Sequence, residues 1–437
     1  MGAAINETAA KQPPLLKKNI FRLILLTISG AAIYTLPYFR LTYYDVYLEM
    51  YNLTHVQMGA LGSAYGLLGL ISYLLGGVLA DAVSARKLLA FSLVVTGLGG
   101  VAHLLTDSFT VLLIIYGMWG ITSLLTFWPA LIKAIRMMAN NEEQGRAFGI
   151  FEGVRGVVNA IILPSALAIF GFIAAGAGEF AGIHGVIVFF SAITTLCGII
   201  VFFTIADTEK VADRKKFEVK QLVAVFKKPS VWLLCFILFM SYTYIMSFWY
   251  FTPYTTEVLG GTVVMAAAVT ILAQYCRPIG SIGASFLGVK VGNPRIRLYS
   301  TALMALGTAA IILIPGNASM MPFFIVACVV IYLAMYANYG LVFAMLEEGN
   351  IPLHMSGIAI GFISTLGYLP EVLVPIVAGT IFDRFPGAQG FHYYFMILTA
   401  CCVLAFIGVL IWIKKYGNKN VSGQPENNNA ATDSAAT

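Results

Sequence analysis

The sequence predicts an all-α polytopic membrane protein of twelve transmembrane helices, six on either side of a hydrophilic segment. Three observations carry that expectation. The 437 residues are 59% hydrophobic and only 11% charged, with a mean hydropathy of +0.86, whereas a soluble domain is about a quarter charged. Twelve apolar runs of bilayer-crossing length follow one another, at about 20–49, 56–79, 88–105, 109–138, 147–174, 184–205, 230–253, 262–288, 296–314, 322–345, 355–381 and 391–413. Finally, the cations are sided. With both termini inside, the inner segments hold 22 of the 26 Lys and Arg, Arg297 among them. The outer segments hold only Arg40 and Arg384, while Arg155 and Arg277 lie within runs. The positive-inside rule therefore puts both termini in the cytoplasm. The net charge of +6 reports topology and excludes a nucleic-acid partner as its explanation.

Taken in order, residues 1–19 are a polar N-terminal cytoplasmic segment with Pro13-Pro14 and Lys17-Lys18. It lacks an apolar core and a small-residue cleavage site, so the first run stays as a permanent helix. Arg40, Asp45 and Glu49 interrupt that run, which is read as one long tilted helix because the next begins at Val56. Runs two and three meet at Gly76-Gly77-Val-Leu-Ala-Asp81-Ala-Val-Ser-Ala-Arg86-Lys87. The glycines allow close helix approach, Asp81 can accept hydrogen bonds at a helix end, and the cations mark a cytoplasmic surface. Six spans fill 20–205, a linker of mixed charge fills 206–229, and six more fill 230–413. The Asn-, Ala- and Ser-rich tail, 414–437, has a disordered composition. The halves look like repeats: Asn141-Glu142-Glu143 enters span five and Leu346-Glu347-Glu348 enters span eleven 205 positions later, and Gly76 and Gly283 are 207 apart. In the second copy Gly288 stands where Asp81 would. Near-equal offsets suit a duplicated six-helix unit. The six cysteines (Cys197, Cys235, Cys276, Cys328, Cys401 and Cys402) all lie in apolar runs and read as small buried hydrophobes without disulfide or zinc spacing.

The stretch from Gly77 to Lys87 resembles the loop signature between helices two and three of the major facilitator superfamily, G-x-L-A-D-x-x-x-x-[RK]-[RK]. With twelve spans, a central linker and internal ends, the resemblance extends over the whole chain. It implies two pseudo-symmetric six-helix bundles around a central cavity that opens alternately to either side, with spans one and seven lining it. It also implies that Gly77, Asp81, Arg86 and Lys87 brace the cytoplasmic side and govern switching, so that Asp81→Asn spares ligand binding while lowering transport. Trp128-Pro129 followed by Lys133, then Asn141-Glu-Glu-Gln-Gly-Arg146, resembles the organophosphate:phosphate antiporters and their organic-anion symporter relatives. Those use a cation in span one, which points to Arg40.

Charges inside the membrane name the candidate site, because each costs about 2.5–3.5 kcal/mol on insertion scales. Arg277 lies eleven residues from the inner end of span eight, about 17 Å at 1.5 Å per residue, near the midplane. Its planar fork suits a carboxylate or phosphate, and Pro278 frees a backbone carbonyl in the preceding turn. It is either an anion anchor or half of a structural ion pair. Glu371, between Pro370 and Pro375, could load and release a proton as a buried carboxyl, or be a fixed partner of a cation such as Arg277. Glu152 and Arg155 share a helix face and can pair, bracing helices or a gate, with Gly153 and Gly156 permitting close packing of a neighbour. Glu371 and Glu152 are the proton-coupling candidates, and Arg155 becomes a second substrate cation if it faces the cavity. Arg40 lies among Tyr34, Tyr38, Tyr43 and Tyr44, and either binds substrate or snorkels outward. Lys133 has the same two options towards the inside. Tyr34, Tyr38 and Tyr242 offer amphipathic rings to an organic substrate, while an interfacial aromatic belt accounts for Tyr250 and Tyr254. His103 reads as a helix-end residue rather than a proton relay.

These readings converge on a secondary active transporter of a small organic anion, such as a sugar acid, carboxylate or phosphate ester. Proton symport is the leading coupling, with anion antiport or a neutral solute as alternatives. No phosphate-cradling Gly-Lys-Ser/Thr loop is present to bind ATP. A polytopic enzyme would need convergent chemistry at one face, and His55, His103, His184, His354 and His392 are scattered. A solute sensor would need a signalling domain, and none is attached. The expected partners are a small solute, protons and the lipid bilayer, with no cofactor. The expected unit is a monomer, multi-pass in a bacterial inner membrane.

Overall fold

The computed structural model describes residues 15–140, 143–206, 225–341, 345–346, 349 and 356–417. Most of the linker and tail, the first fourteen residues and the Glu347-Glu348 repeat copy lie outside the described residues, as do the surroundings of Gly77 and the side chain of Asp81. Everything described is helical or a short connection, with no strand. Ten helical stretches are long and apolar enough to cross a membrane, and a bent pair in span one makes eleven. His55–Ala82, 28 residues long, completes the twelve as span two.

Span one is Leu15–Ala32 and Thr35–Thr42, followed by Tyr44–Tyr51. The single tilted helix expected here is overturned: the first two pieces meet at 43°. Pro37 has no N–H for the carbonyl of Ile33, so the ladder breaks where it must turn. Span two opens with a capping box, Thr54 and Gln57 exchanging backbone hydrogen bonds at 3.0 and 3.2 Å. Spans three to six are Ala85–Leu104, Phe109–Met137, Gln144–Ala177 and Glu179–Thr204. Spans seven to ten are Pro229–Val258, Val263–Val291, Asn293–Leu313 and Met321–Gly340. Span eleven is two pieces, Ser356–Gly367 and Pro370–Arg384, and span twelve is Ala388–Tyr416. The shortest connections use glycine where the backbone turns left-handed, with Gly178 at φ 89° and Gly292 at φ 95°.

Packing reveals the repeat. In the first six spans, three lies on six, two on four and one on five. In the last six, nine lies on twelve, eight on ten and seven on eleven. Each contact becomes its counterpart when six is added. The two sets meet where span two crosses eleven and span five crosses eight, again a related pair. Every apolar span thus buries one stripe and leaves another for lipid, as the exposed Phe172, Phe203, Phe286 and Leu313 show.

Leu15 and Gly417, the first and last described residues, lie at one end of the bundle, here the terminal end; the other is the distal end. The polar loop before span five ties the terminal end together. Glu143 accepts from the backbone N–H groups of Leu15 and Leu16 at 3.1 Å, and Gln144 donates to the carbonyls of Arg136 and Ala139. At the repeat glycines the halves differ. A Cβ on Gly76 would meet Pro129 at 2.6 Å, whereas Gly283 faces open space. Gly288, in the place of Asp81, is closely approached by the Asn293 amide oxygen, 2.3 Å from an added Cβ.

Candidate functional site

The polar residues of the membrane interior gather along the seam between the two sets of spans. Span eleven restarts at Pro370 after Tyr368 and Leu369, so Glu371 sits in a first turn rather than deep within a continuous helix. Its backbone would lie 3.0 Å from a Cβ on Gly66 of span two, which fixes its depth. Tyr38 of span one donates to Glu371 Oε1 at 2.7 Å, and Tyr242 of span seven donates to Oε2 at 3.4 Å. Glu371 is buried and has no cation among the described residues, so it is not the fixed partner of Arg277.

Aromatic rings collar this carboxyl. Tyr38 stacks on Trp249 at 5.6 Å and meets Tyr65 edge-on at 5.5 Å. Tyr65 hydrogen-bonds Ser123 at 3.0 Å. Tyr242 packs on Tyr368 at 4.5 Å and faces Tyr339 at 6.2 Å, and the Tyr339 and Tyr368 hydroxyls are 3.3 Å apart. The seam is therefore apolar in area and hydroxyl-rich in detail, the character of a small-molecule site.

A charged cluster lies on the terminal side of the collar. Arg155 Nη2 contacts Glu152 Oε2 at 2.7 Å, and Arg277 Nη2 approaches the same oxygen at 3.8 Å from span eight. Each guanidinium rests on rings: Arg155 on Phe151 and Trp128 at 5.3 and 5.7 Å, and Arg277 on Tyr336 at 5.7 Å. Trp128 follows a stretch of π-helix, Ile121–Phe127, where the extra residue per turn re-aims the side chains ahead of Pro129. Trp128 also meets Tyr34 edge-on at 6.4 Å. The structure thus brings together Tyr34, Tyr38, Glu152, Arg155, Tyr242, Arg277 and Glu371. Gly153 and Gly156 do not pack against a neighbouring helix as expected, because nothing lies within 4 Å of a Cβ on either. This part of span five borders open space.

Arg40 and Lys133 lie elsewhere. Arg40 is buried in the distal half, over the Tyr116 ring at 5.2 Å, with Nη1 donating to the Met58 carbonyl at 3.4 Å. Lys133 donates to the Ala80 carbonyl at 2.8 Å, near the end of span two. Arg86 lies over the Phe202 ring of span six at 5.4 Å, and Lys87 is exposed. His103 lies in the last turn of span three, as expected, and is fully buried there. Its ring nitrogens meet the hydroxyls of Tyr47 at 2.8 Å and Tyr51 at 3.0 Å, and it stacks on Trp119. Tyr250 and Tyr254 are also core residues, packed on Phe382 and Phe324, and not an interfacial belt.

Sequence reasoning missed Arg297. Counted with the inner loops, it is completely buried in span nine, where Nη2 donates to Ser241 at 3.3 Å and Asn338 at 3.1 Å. Its place one residue inside the expected edge of an apolar run was the available signal. Tyr65, Tyr339 and Tyr368 were also missed, since lone tyrosines in apolar runs do not announce a shared cavity.

The closed side of the seam is distal. Asp383 accepts from the backbone N–H groups of His55 and Val56 at 2.9 Å each, Ser63 donates to the Val372 carbonyl at 2.6 Å, and Thr256 hydrogen-bonds Asp45. Among the described residues, the Arg277–Glu152 contact is the polar link between the two sets that lies nearest the terminal end.

Comparison with known proteins agrees with this architecture. The family model described as Major Facilitator Superfamily matches residues 20–375. The inner membrane protein YihN of Escherichia coli K12 is 29% identical over 409 residues, covering 91% of this chain and 95% of that protein. The inner membrane protein YqcE of the same organism is 25% identical over 403 residues, covering 90% and 94%. Among solved structures, a bacterial homolog of the human lysosomal transporter Spinster, inward-facing and occupied, has a TM-score of 0.75 at 16% identity, covering 91% of this chain and 97% of that one. A mutant of the nucleoside transporter NupG has a TM-score of 0.74 at 12% identity, covering 90% and 99%. At such identities the structural likeness shows the fold alone.

Proposed function

The chain belongs to the Major Facilitator Superfamily, and on that premise we propose that it is a proton-coupled secondary transporter of a small organic anion. The substrate class is a sugar acid, carboxylate or phosphate ester, moved by alternating access between the bundles of residues 20–205 and 230–413. The observation that carries the reading is the convergence of Arg155 and Arg277, from opposite bundles, on one carboxylate oxygen. Two guanidiniums held by aromatic rings form a seat for an oxyanion, and a ligand bridging them would draw the bundles together. The tyrosine collar supplies hydroxyl partners for the rest of an organic solute.

Glu371 is the proton carrier in this scheme. A buried carboxylate without a cation is costly, and a proton removes that cost, so loading and unloading change how the Tyr38 link across the seam is held. The Gly77-to-Lys87 loop, with Asp81, Arg86 and Lys87, braces the cytoplasmic side and does not touch substrate. The location we propose is a bacterial inner membrane, in keeping with the names of the two Escherichia coli relatives.

The test begins with thermal stabilisation of the purified protein by gluconate, glycerol 3-phosphate and glucose. Counterflow and pH-gradient-driven uptake of the best ligand in proteoliposomes follow. Stabilisation by an anion, abolished in Arg277→Ala, is the expected result. A profile confined to neutral sugar, which the hydroxyl-rich collar would also suit, overturns the anion reading. Uptake indifferent to the pH gradient overturns the coupling.

A further inference from the structure

Glu152 holds an odd position for a structural ion-pair partner. Only Oε2 is engaged, shared by Arg155 at 2.7 Å and Arg277 at 3.8 Å, and Oε1 has no hydrogen bond among the described residues. The side chain is 51% exposed, against 12% for Arg155 and 32% for Arg277. The carboxylate therefore lies on the open side of the seam, with the cations behind it. Those cations also rest on ring faces, Arg155 on Phe151 and Trp128 and Arg277 on Tyr336.

Around Glu152 the helix surface is bare. Gly149 and Gly156 stand three residues before it and four after it, on the same face, and Gly153 adjoins it. No heavy atom lies within 4 Å of a Cβ on any of the three. The open groove leaves Glu152 room to change rotamer without moving backbone. The carboxylate itself is half-exposed and hydrogen-bonds through one oxygen.

We infer that Glu152 is a tethered stand-in for the substrate, occupying the seat between Arg155 and Arg277 in the unloaded protein and leaving it when an oxyanion arrives. This rests on the anion reading above and deepens it. The incoming group is a terminal carboxylate, phosphate or sulfonate, able to meet two guanidinium forks where Glu152 offers one oxygen. The stand-in has two consequences. It keeps the two cations from repelling one another while the seat is empty, and it sets a threshold on affinity, because every ligand competes with a carboxylate already present at high local concentration. The bare glycine face is the berth into which Glu152 withdraws.

The experiment compares parent, Glu152→Gln, Gly156→Leu and the double variant, each titrated with glycerol 3-phosphate and, in parallel, gluconate. Glu152→Gln keeps the shape and removes the competing charge, so anion affinity is expected to rise about tenfold. Gly156→Leu fills the berth, so affinity is expected to fall, and to recover in the double variant, where nothing charged needs to withdraw. Saturable binding that is equal or weaker in Glu152→Gln overturns the stand-in while leaving the anion reading intact. An unrecovered double variant likewise overturns it, by showing that the leucine harms the site directly. Absence of saturable anion binding in both parent and Glu152→Gln overturns the anion reading, and the stand-in with it.

Discussion

Lys133 and Arg277 both entered as membrane-embedded cations, yet their side chains meet different groups. Arg277 turns into the seam and shares a carboxylate with Arg155. Lys133 turns along its own bundle to the Ala80 carbonyl, where the last turn of span two leaves acceptors unpaired. A hydrogen bond from a charged donor contributes about 1.5–3 kcal/mol when buried, and less here because Lys133 is partly exposed. Lys133→Met is expected to lower turnover several-fold while leaving ligand affinity within about twofold, read from uptake and equilibrium binding on the same preparation. A large loss of affinity would return Lys133 to the substrate site. The sequence placed Arg40, Arg155, Arg277, Glu152 and Glu371 within spans but did not show where each points, because direction depends on rotamer and neighbour. Arg297 was lost for a related reason: one residue at the edge of an apolar run decides between loop and core, and composition alone does not resolve that edge.

At the scale of the element, twelve apolar runs and their six-plus-six division were legible, because bilayer thickness imposes length and composition on every span. The breaks were not. Spans one, four, seven and eleven carry their irregularities at Tyr34, Ile121–Phe127, Phe248–Val258 and Tyr368-Leu369, each close to a proline, yet hydropathy runs smoothly across them. These are the spans that deliver Tyr38, Trp128, Trp249 and Glu371 to the seam, so the irregular turns and the site coincide. The glycines of span two have a different use. An added Cβ on Gly59 would lie 2.2 Å from the Pro375 carbonyl oxygen, a backbone atom that cannot yield without moving span eleven. Gly59→Val is therefore expected to hold spans two and eleven apart at the distal end. Spin labels placed on the two spans and measured by pulsed EPR should show a distal distance several ångströms longer than in the parent. An unchanged distance would mean that the contact is not what closes that side.

At the scale of the whole molecule, the superfamily's defining motion needs two states within a few kcal/mol of each other, and this chain is closed distally. The distal closure includes few polar contacts, and Asp383 makes a direct pair. Its two carboxylate oxygens accept from His55 and Val56 at 2.9 Å each, at the N-terminus of span two, where unpaired N–H groups and the helix dipole favour an anion. One bundle thus caps a helix of the other across the shut distal side. Asp383 is exposed, so solvent screening limits the contribution to about 1 kcal/mol, roughly a fivefold shift in population. Asp383→Ala should move the balance towards the distally open state by about that factor. The shift would be seen as faster labelling, from the distal side, of a cysteine placed at Ser63, whose hydroxyl donates to the Val372 carbonyl of span eleven. Asp383→Asn, which keeps one acceptor oxygen, should fall between parent and alanine. If neither variant changes the labelling rate, the apolar packing of spans one and two on seven and eleven closes the distal side without help from this cap.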